Sequence, residues 1–211
     1  MNSTEKEVSY TINNSYSTLN TLSHNTKNVW IVCHGLGFLS RYFIKYFNEL
    51  NPEENYIIAP QAQSKHYLKN QFKHVGASWL TKENTQNEIK NVLNYLDSVY
   101  EQERISMINA NVIVLGFSQG VSIVTRWIAQ RHIKCNTVLL YAGKLPREFS
   151  KTDFTTIKDI KLIVGDTDAY VTPEILENEK TYAQQIFGDK VTYITFNGGH
   201  EMKRDIINTF A

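Results

Sequence analysis

Cysteine, proline and unbalanced charge are all scarce in this sequence. Only two of its 211 residues are cysteines, Cys33 and Cys135, far apart and in no C-x-x-C pair. That spacing excludes a disulfide scaffold, a redox dithiol and a cysteine-built zinc site, and leaves two small reduced residues suited to a core. No apolar run approaches the ~18 residues of a membrane span. The polar start, "MNSTEKEVSYTINNSYSTLN", lacks the apolar stretch of a secretory signal. A cytoplasmic protein is the expectation. Charge nearly cancels at +1, from 22 basic and 21 acidic side chains. Neither nucleic acid nor a membrane surface is therefore indicated as a partner. The six histidines are scattered, and His66 and His74 are too far apart for a helix-face metal pair, so no metal or organic cofactor is implied. With no repeat and no Pro/Gly/Ser linker, residues 1–211 are expected to form a single domain.

What is present is an alternation of strand and helix patterns. Val8–Ile12 and Tyr16–Leu19 predict an N-terminal β-hairpin within residues 1–25, turning through Asn13–Ser15. "VWIVC", Val29–Cys33, is a continuous apolar run that suits a strand buried on both faces. A helix over Arg41–Leu50 is predicted from Phe43, Ile44, Phe47 and Leu50, and a strand over Tyr56–Ala59 stops at Pro60. Gln61–Lys82 is polar with little periodicity. The pattern then predicts helix Asn84–Arg104, strand Val112–Leu115, helix Gln119–Arg131 and strands Thr137–Tyr141 and Lys161–Val164. Helix Pro173–Phe187, strand Val191–Phe196 and helix Glu201–Phe210 complete it. Such alternation predicts an α/β fold with a mostly parallel sheet and right-handed crossovers. Ligands in such sheets bind at the carboxyl ends of the strands.

Polar and glycine-rich signatures stand at four of those ends. "HGLG" (His34–Gly37) follows the first buried strand and "GFSQG" (Gly116–Gly120) closes the second. "GDTDAYV" (Gly165–Val171) follows the strand Lys161–Val164, and "GGHE" (Gly198–Glu201) follows the last. Gly116-Phe117-Ser118-Gln119-Gly120 is G-x-S-x-G placed between a strand and a helix. In that setting the serine Oγ stands exposed on a strained turn whose neighbours must be small. A serine hydroxyl is a weak nucleophile until a base removes its proton. His200, on a loop loosened by two glycines, is the candidate base. The base needs a carboxylate to fix its tautomer. Asp166 and Asp168 both follow the same strand; Asp168 is favoured because Val171 can anchor its loop, while Asp166 is placed to cap the turn. The order Ser, Asp, His is that of an α/β-hydrolase. The oxyanion of acyl transfer needs two N–H donors, expected from Leu36 and Gln119. His34 reads as a structural residue that holds its loop.

These segments, in this order and at this size, resemble the acyl-protein thioesterase and phospholipase/carboxylesterase family of α/β-hydrolases. "GASWL" (Gly76–Leu80) is similar to the family's Ser-Trp pair in the loop after the next strand. The resemblance covers most of the chain from Val29 onward. It implies Ser118 as nucleophile, Asp168 as acid, His200 as base, Leu36 and Gln119 as oxyanion donors, and a small-molecule or acylated substrate. The sequence departs from the family at Phe38, where an aspartate often follows HGLG. Its loop before Ser78-Trp79 is also poor in proline, and Leu80-Thr81 replace an aromatic and an acid.

The interval from Gly143 to Ile160 is too short for a helical cap. Gln61–Lys82, holding Tyr67, Leu68, Phe72 and Trp79, is long enough to wall an acyl groove or act as a lid. Trp79, Phe38 and Tyr141 are the candidate substrate-contacting residues. The expected activity is hydrolysis of a carboxylic ester or thioester. A serine peptidase or amidase on the same fold, and a non-catalytic binding protein, remain open alternatives.

Overall fold

A computed structural model describes residues 3–69 and 72–211. Strand β1 (Tyr16–Leu19) precedes β2 (Asn28–Cys33), a short helix α1 (Ser40–Phe43) and β3 (Asn55–Pro60). A separate two-stranded ribbon follows, β4 (Ser64–Tyr67) and β5 (Val75–Ser78). Then come α2 (Thr85–Gln102), β6 (Asn111–Phe117), α3 (Gln119–Arg131), β7 (Thr137–Tyr141) and β8 (Asp159–Gly165). Helix α4 (Pro173–Phe187), β9 (Val191–Phe196) and α5 (Arg204–Asn208) complete the chain. The main sheet has seven strands in the order β1-β3-β2-β6-β7-β8-β9. All are parallel to their neighbours except β1, which runs antiparallel to β3.

The apolar runs are continuous because the sheet is buried on both faces. In β2, Val29, Ile31 and Cys33 join one core, and Trp30 and Val32 join the other. The first core packs under α2, α3 and α4. The five-residue stripe of α2 (Ile89, Val92, Leu93, Leu96 and Val99) is buried there, each side chain contributing roughly 1.5–3 kcal/mol. The second core packs under α1 and α5, through Phe43, Phe47 and Ile207. Trp30 satisfies its buried indole N–H on Asn55 Oδ1 at 3.0 Å. Cys33 and Cys135 are free and buried, and burial pushes both thiol pKa values up. The 143–160 interval holds one 3₁₀ turn, Lys151–Phe154, and no helical cap. No helix among the described residues is long and apolar enough to cross a membrane.

Four local expectations are corrected. Val8–Ile12 forms no strand, and Val8, Tyr10 and Ile12 are exposed. Tyr16–Leu19 pairs with β3 instead of with it. An isolated two-stranded ribbon is marginal in water, whereas the edge of a large sheet offers a ready row of partners. The predicted helix over Arg41–Leu50 is α1 continued by a 3₁₀ turn at Ile44–Phe47. Ile44 and Phe47 are spaced by three, and the three-residue period of the 3₁₀ turn puts both on the core side. The predicted terminal helix shortens to Arg204–Asn208, because the Lys203 N–H is held by the Tyr141 hydroxyl at 3.1 Å. Gln61–Lys82 is built around the β4–β5 ribbon; residues 70 and 71 within it lie outside the described residues.

Candidate active site

Strand β6 passes directly into α3 through Ser118. Its φ of 52° and ψ of −114° lie where L-residues carry strain. The turn is that tight because helix and strand nearly touch. A Cβ on Gly116 would lie 2.5 Å from Gly120 O, and one on Gly120 only 2.1 Å from Cys33 O. Ser118 N–H donates to Tyr141 O of the adjacent strand at 2.8 Å, and Val121 N–H donates to Ser118 O at 3.0 Å. The serine is thus pinned at the carboxyl edge of the sheet with the positive end of α3 behind it.

The loop after β9 brings His200 to this serine. Ser118 Oγ and His200 Nε2 are 2.9 Å apart, and His200 Nδ1 lies 2.8 Å from Asp168 Oδ2. The Asp168 side chain is fully buried, and its other oxygen accepts the Tyr170 N–H at 2.8 Å. A carboxylate can only accept, so Nδ1 carries the proton and Nε2 presents a lone pair to the serine hydroxyl. Asp166 does not reach the imidazole. Its Oδ1 accepts the Gly198 N–H at 3.0 Å and so fastens the loop that carries His200. The Tyr170 ring, mostly exposed, stands edge-on to the imidazole at 4.8 Å between centroids.

The HGLG loop leaves β2 beside Ser118: a Cβ on Gly35 would lie 3.2 Å from the serine Cβ. Gly37 N–H donates to Ala77 O of β5 at 2.9 Å. His34 is fully buried. Its Nε2 accepts the Ala62 N–H at 3.1 Å, so Nδ1 carries the proton and donates to Gly35 O at 2.8 Å. Burial lowers its pKa from 6.5 to about 4. Among the described residues, neither Leu36 N–H nor Gln119 N–H has a protein acceptor. Both belong to backbone that flanks Ser118.

Residues 14–210 match the sequence profile of a family described as phospholipase/carboxylesterase. The chain belongs to the phospholipase/carboxylesterase family. No curated protein matches it in sequence. Its fold is similar to that of Zea mays acyl-protein thioesterase 2, with a TM-score of 0.71 and 15% identity over 94% of this chain and 97% of the other. It is also similar to a phospholipase/carboxylesterase from Dyadobacter fermentans, with a TM-score of 0.66 and 19% identity over 95% and 97%. The Bacillus cereus carboxylesterase aligns with a TM-score of 0.68 and 14% identity over 93% and 91%. At these identities the likeness establishes a shared α/β-hydrolase fold.

The three aromatic residues expected to contact substrate differ in exposure. Trp79 and Tyr141 are both fully buried and present no surface to a ligand. The Trp79 indole N–H donates to His34 O at 2.7 Å, with its ring 5.0 Å from the imidazole. Tyr141 packs on Phe117 and Phe196. Aromatic residues near a site also serve as its foundation, and their burial decides which they do. Phe38 is half-buried and does line a groove beside the HGLG loop. Sequence reasoning missed the side chain of Gln119, which binds the Ser78–Leu80 segment. It also missed Tyr170, whose only signal is its position two residues after Asp168. Among the described residues, no group of three or more His, Cys, Asp or Glu is arranged to hold a metal ion.

Proposed function

We propose that this protein is a serine hydrolase that cleaves carboxylic ester or thioester bonds through an acyl-enzyme on Ser118. The reading is carried by the unbroken hydrogen-bonded chain from Ser118 through His200 to Asp168. In it, His200 Nε2 takes the hydroxyl proton as Oγ bonds to the substrate carbonyl carbon. Asp168 stabilises the resulting imidazolium and keeps its orientation. The carbonyl electrons move onto oxygen, where the Leu36 and Gln119 N–H groups and the α3 N-terminus stabilise the negative charge. The imidazolium then protonates the leaving alcohol or thiol as its bond to the acyl carbon breaks. Water enters, His200 removes a proton from it, and attack on the acyl carbon releases the acid and returns the proton to Ser118.

The test is hydrolysis of p-nitrophenyl esters from acetate to octanoate by the wild type and Ser118→Ala, together with labelling by a fluorophosphonate. The expected result is ester hydrolysis that falls by at least about 10⁴-fold in the variant, with the label on Ser118. Equal hydrolysis by both proteins, or a wild type that neither turns over esters nor takes the label, overturns this reading.

A further inference from the structure

A groove of about 320 Å³ opens next to the HGLG loop. Phe38, Tyr42, Leu68 and Val75 give it an apolar body, and Arg41 and Lys73 contribute cations. Among the described residues, no carboxylate lines it. The sequence around it is one-signed: residues 34–48 and 55–82 contain no Asp or Glu. Arg126, Arg131, Arg147 and Arg204 each meet a carboxylate. Among the described residues, Arg41 and Lys73 form no such pair. The Arg41 guanidinium instead lies 5.0 Å from the Tyr42 ring centroid, a contact that leaves its donors available.

The position of the groove decides which part of a substrate it meets. In the sheet order, β2 and β3 lie on one side of β6 and Ser118, whereas β8 and β9, which carry Asp168 and His200, lie on the other. The leaving group must face His200 Nε2, which protonates it, so the acyl part extends toward β2 and the groove. A groove that combines apolar side chains with two cations that meet no carboxylate among the described residues suits a chain that is apolar along its length and carries an anion.

We propose that this groove binds the acyl part of the substrate and selects acyl chains that carry a terminal carboxylate. The preferred substrates are then ω-carboxyacyl esters or thioesters. This inference rests on the hydrolase reading above and names the substrate class of that same site.

The experiment compares kcat/KM for the mono-p-nitrophenyl esters of adipate and suberate with that for p-nitrophenyl hexanoate and octanoate. It uses the wild type, Arg41→Gln, Lys73→Gln and the double variant. The expected result is that the anionic-to-neutral ratio drops about fivefold in the double variant, and that the wild-type ratio falls as salt is raised to ~0.5 M. In Ser118→Ala, calorimetric titration with monoethyl suberate and ethyl octanoate reads the same preference without turnover. A third series, acyl esters of 4-hydroxybenzoate, puts the charge on the leaving group. If the variants change discrimination in that series instead, or leave every ratio at its wild-type value, the acyl-anion site is wrong while the hydrolase reading stands. If the wild type hydrolyses no ester and takes no fluorophosphonate, both readings fall together.

Discussion

The side-chain carbonyl of Gln119 accepts the backbone N–H of Trp79 at 2.9 Å. The amide nitrogen of the same side chain donates to Leu80 O at 2.8 Å and Ser78 Oγ at 3.1 Å. Trp79 in turn holds His34 O. The residue after the serine therefore ties together the elbow, the Ser78–Leu80 segment and the HGLG loop, while its backbone N–H has no protein acceptor among the described residues. This structural tie needs the side chain, whereas the oxyanion role proposed for Gln119 needs only its backbone.

Gln119→Ala separates those roles. It removes the side-chain hydrogen bonds to Ser78, Trp79 and Leu80 and leaves the Trp79 N–H without an acceptor, a loss of roughly 2–3 kcal/mol. The backbone donor remains. Urea unfolding is expected to show the stability loss, while kcat falls by less than about tenfold, well short of the 10²–10³ cost of deleting an oxyanion donor. A larger loss of kcat in a fully folded variant would mean that the side chain itself acts on the substrate.

Asp166 and Asp168 give opposite expectations although they stand two residues apart. Asp168→Asn can no longer hold the Nδ1 proton as a carboxylate does, and by analogy with the same change in other triads kcat is expected to fall by about 10⁴-fold. Asp166→Asn keeps an oxygen able to accept the Gly198 N–H. It acts only on the position of the loop, so a loss of about tenfold or less is expected, recoverable at lower temperature. Single-turnover rates of the two variants side by side check this, and comparable losses would refute the division of labour.

The residues of the candidate site were singled out from the sequence because they stand at strand ends, where the chain order of Ser118, Asp168 and His200 is itself a signal. The central sheet was legible for a related reason: strands buried on both faces read as unbroken apolar runs. What failed was decided by tertiary contact. The burial of Trp79 and Tyr141 was not legible either, because nothing in the sequence separates an aromatic packed under a site from one that lines it. Tyr16–Leu19 is a strand in either arrangement, and only the open edge of β3 determines its partner. The tight helix at Ile44–Phe47 shares its apolar spacing with an ordinary α-helix. Gln119 was read for its backbone alone, since nothing local reveals that its amide reaches a segment 39 to 41 residues earlier in the chain.

His34 makes the fold acid-sensitive. Its folded pKa is about 4 against 6.5 when free, because burial disfavours the imidazolium. Between those values the unfolded chain binds a proton that the native state does not. Stability is therefore intact above pH 6.5 and lost as pH falls toward 4, by about 3 kcal/mol from this group. Urea midpoints at pH 7 and pH 4.5 for the wild type and His34→Asn measure it. The variant is expected to be less stable at pH 7 yet to lose less on acidification; parallel losses in the two proteins would place the acid sensitivity elsewhere.

Ser118 holds a conformation that costs the protein stability. At φ 52° and ψ −114° a side chain is strained by roughly 1–3 kcal/mol, and glycine relieves most of it. Ser118→Ala and Ser118→Gly both remove the hydroxyl and its bond to His200, so they share every loss except the strain. Glycine ordinarily destabilises a folded chain relative to alanine by roughly 0.4–1 kcal/mol through the entropy of the unfolded state. Here the order is expected to reverse, with Ser118→Gly the more stable of the two by about 1 kcal/mol and both inactive on esters. Thermal unfolding of the pair decides the point. If alanine proves the more stable, the elbow stores no strain at this residue. The tightness of the turn then rests on Gly116 and Gly120 alone, where a methyl group would meet backbone at 2.5 and 2.1 Å.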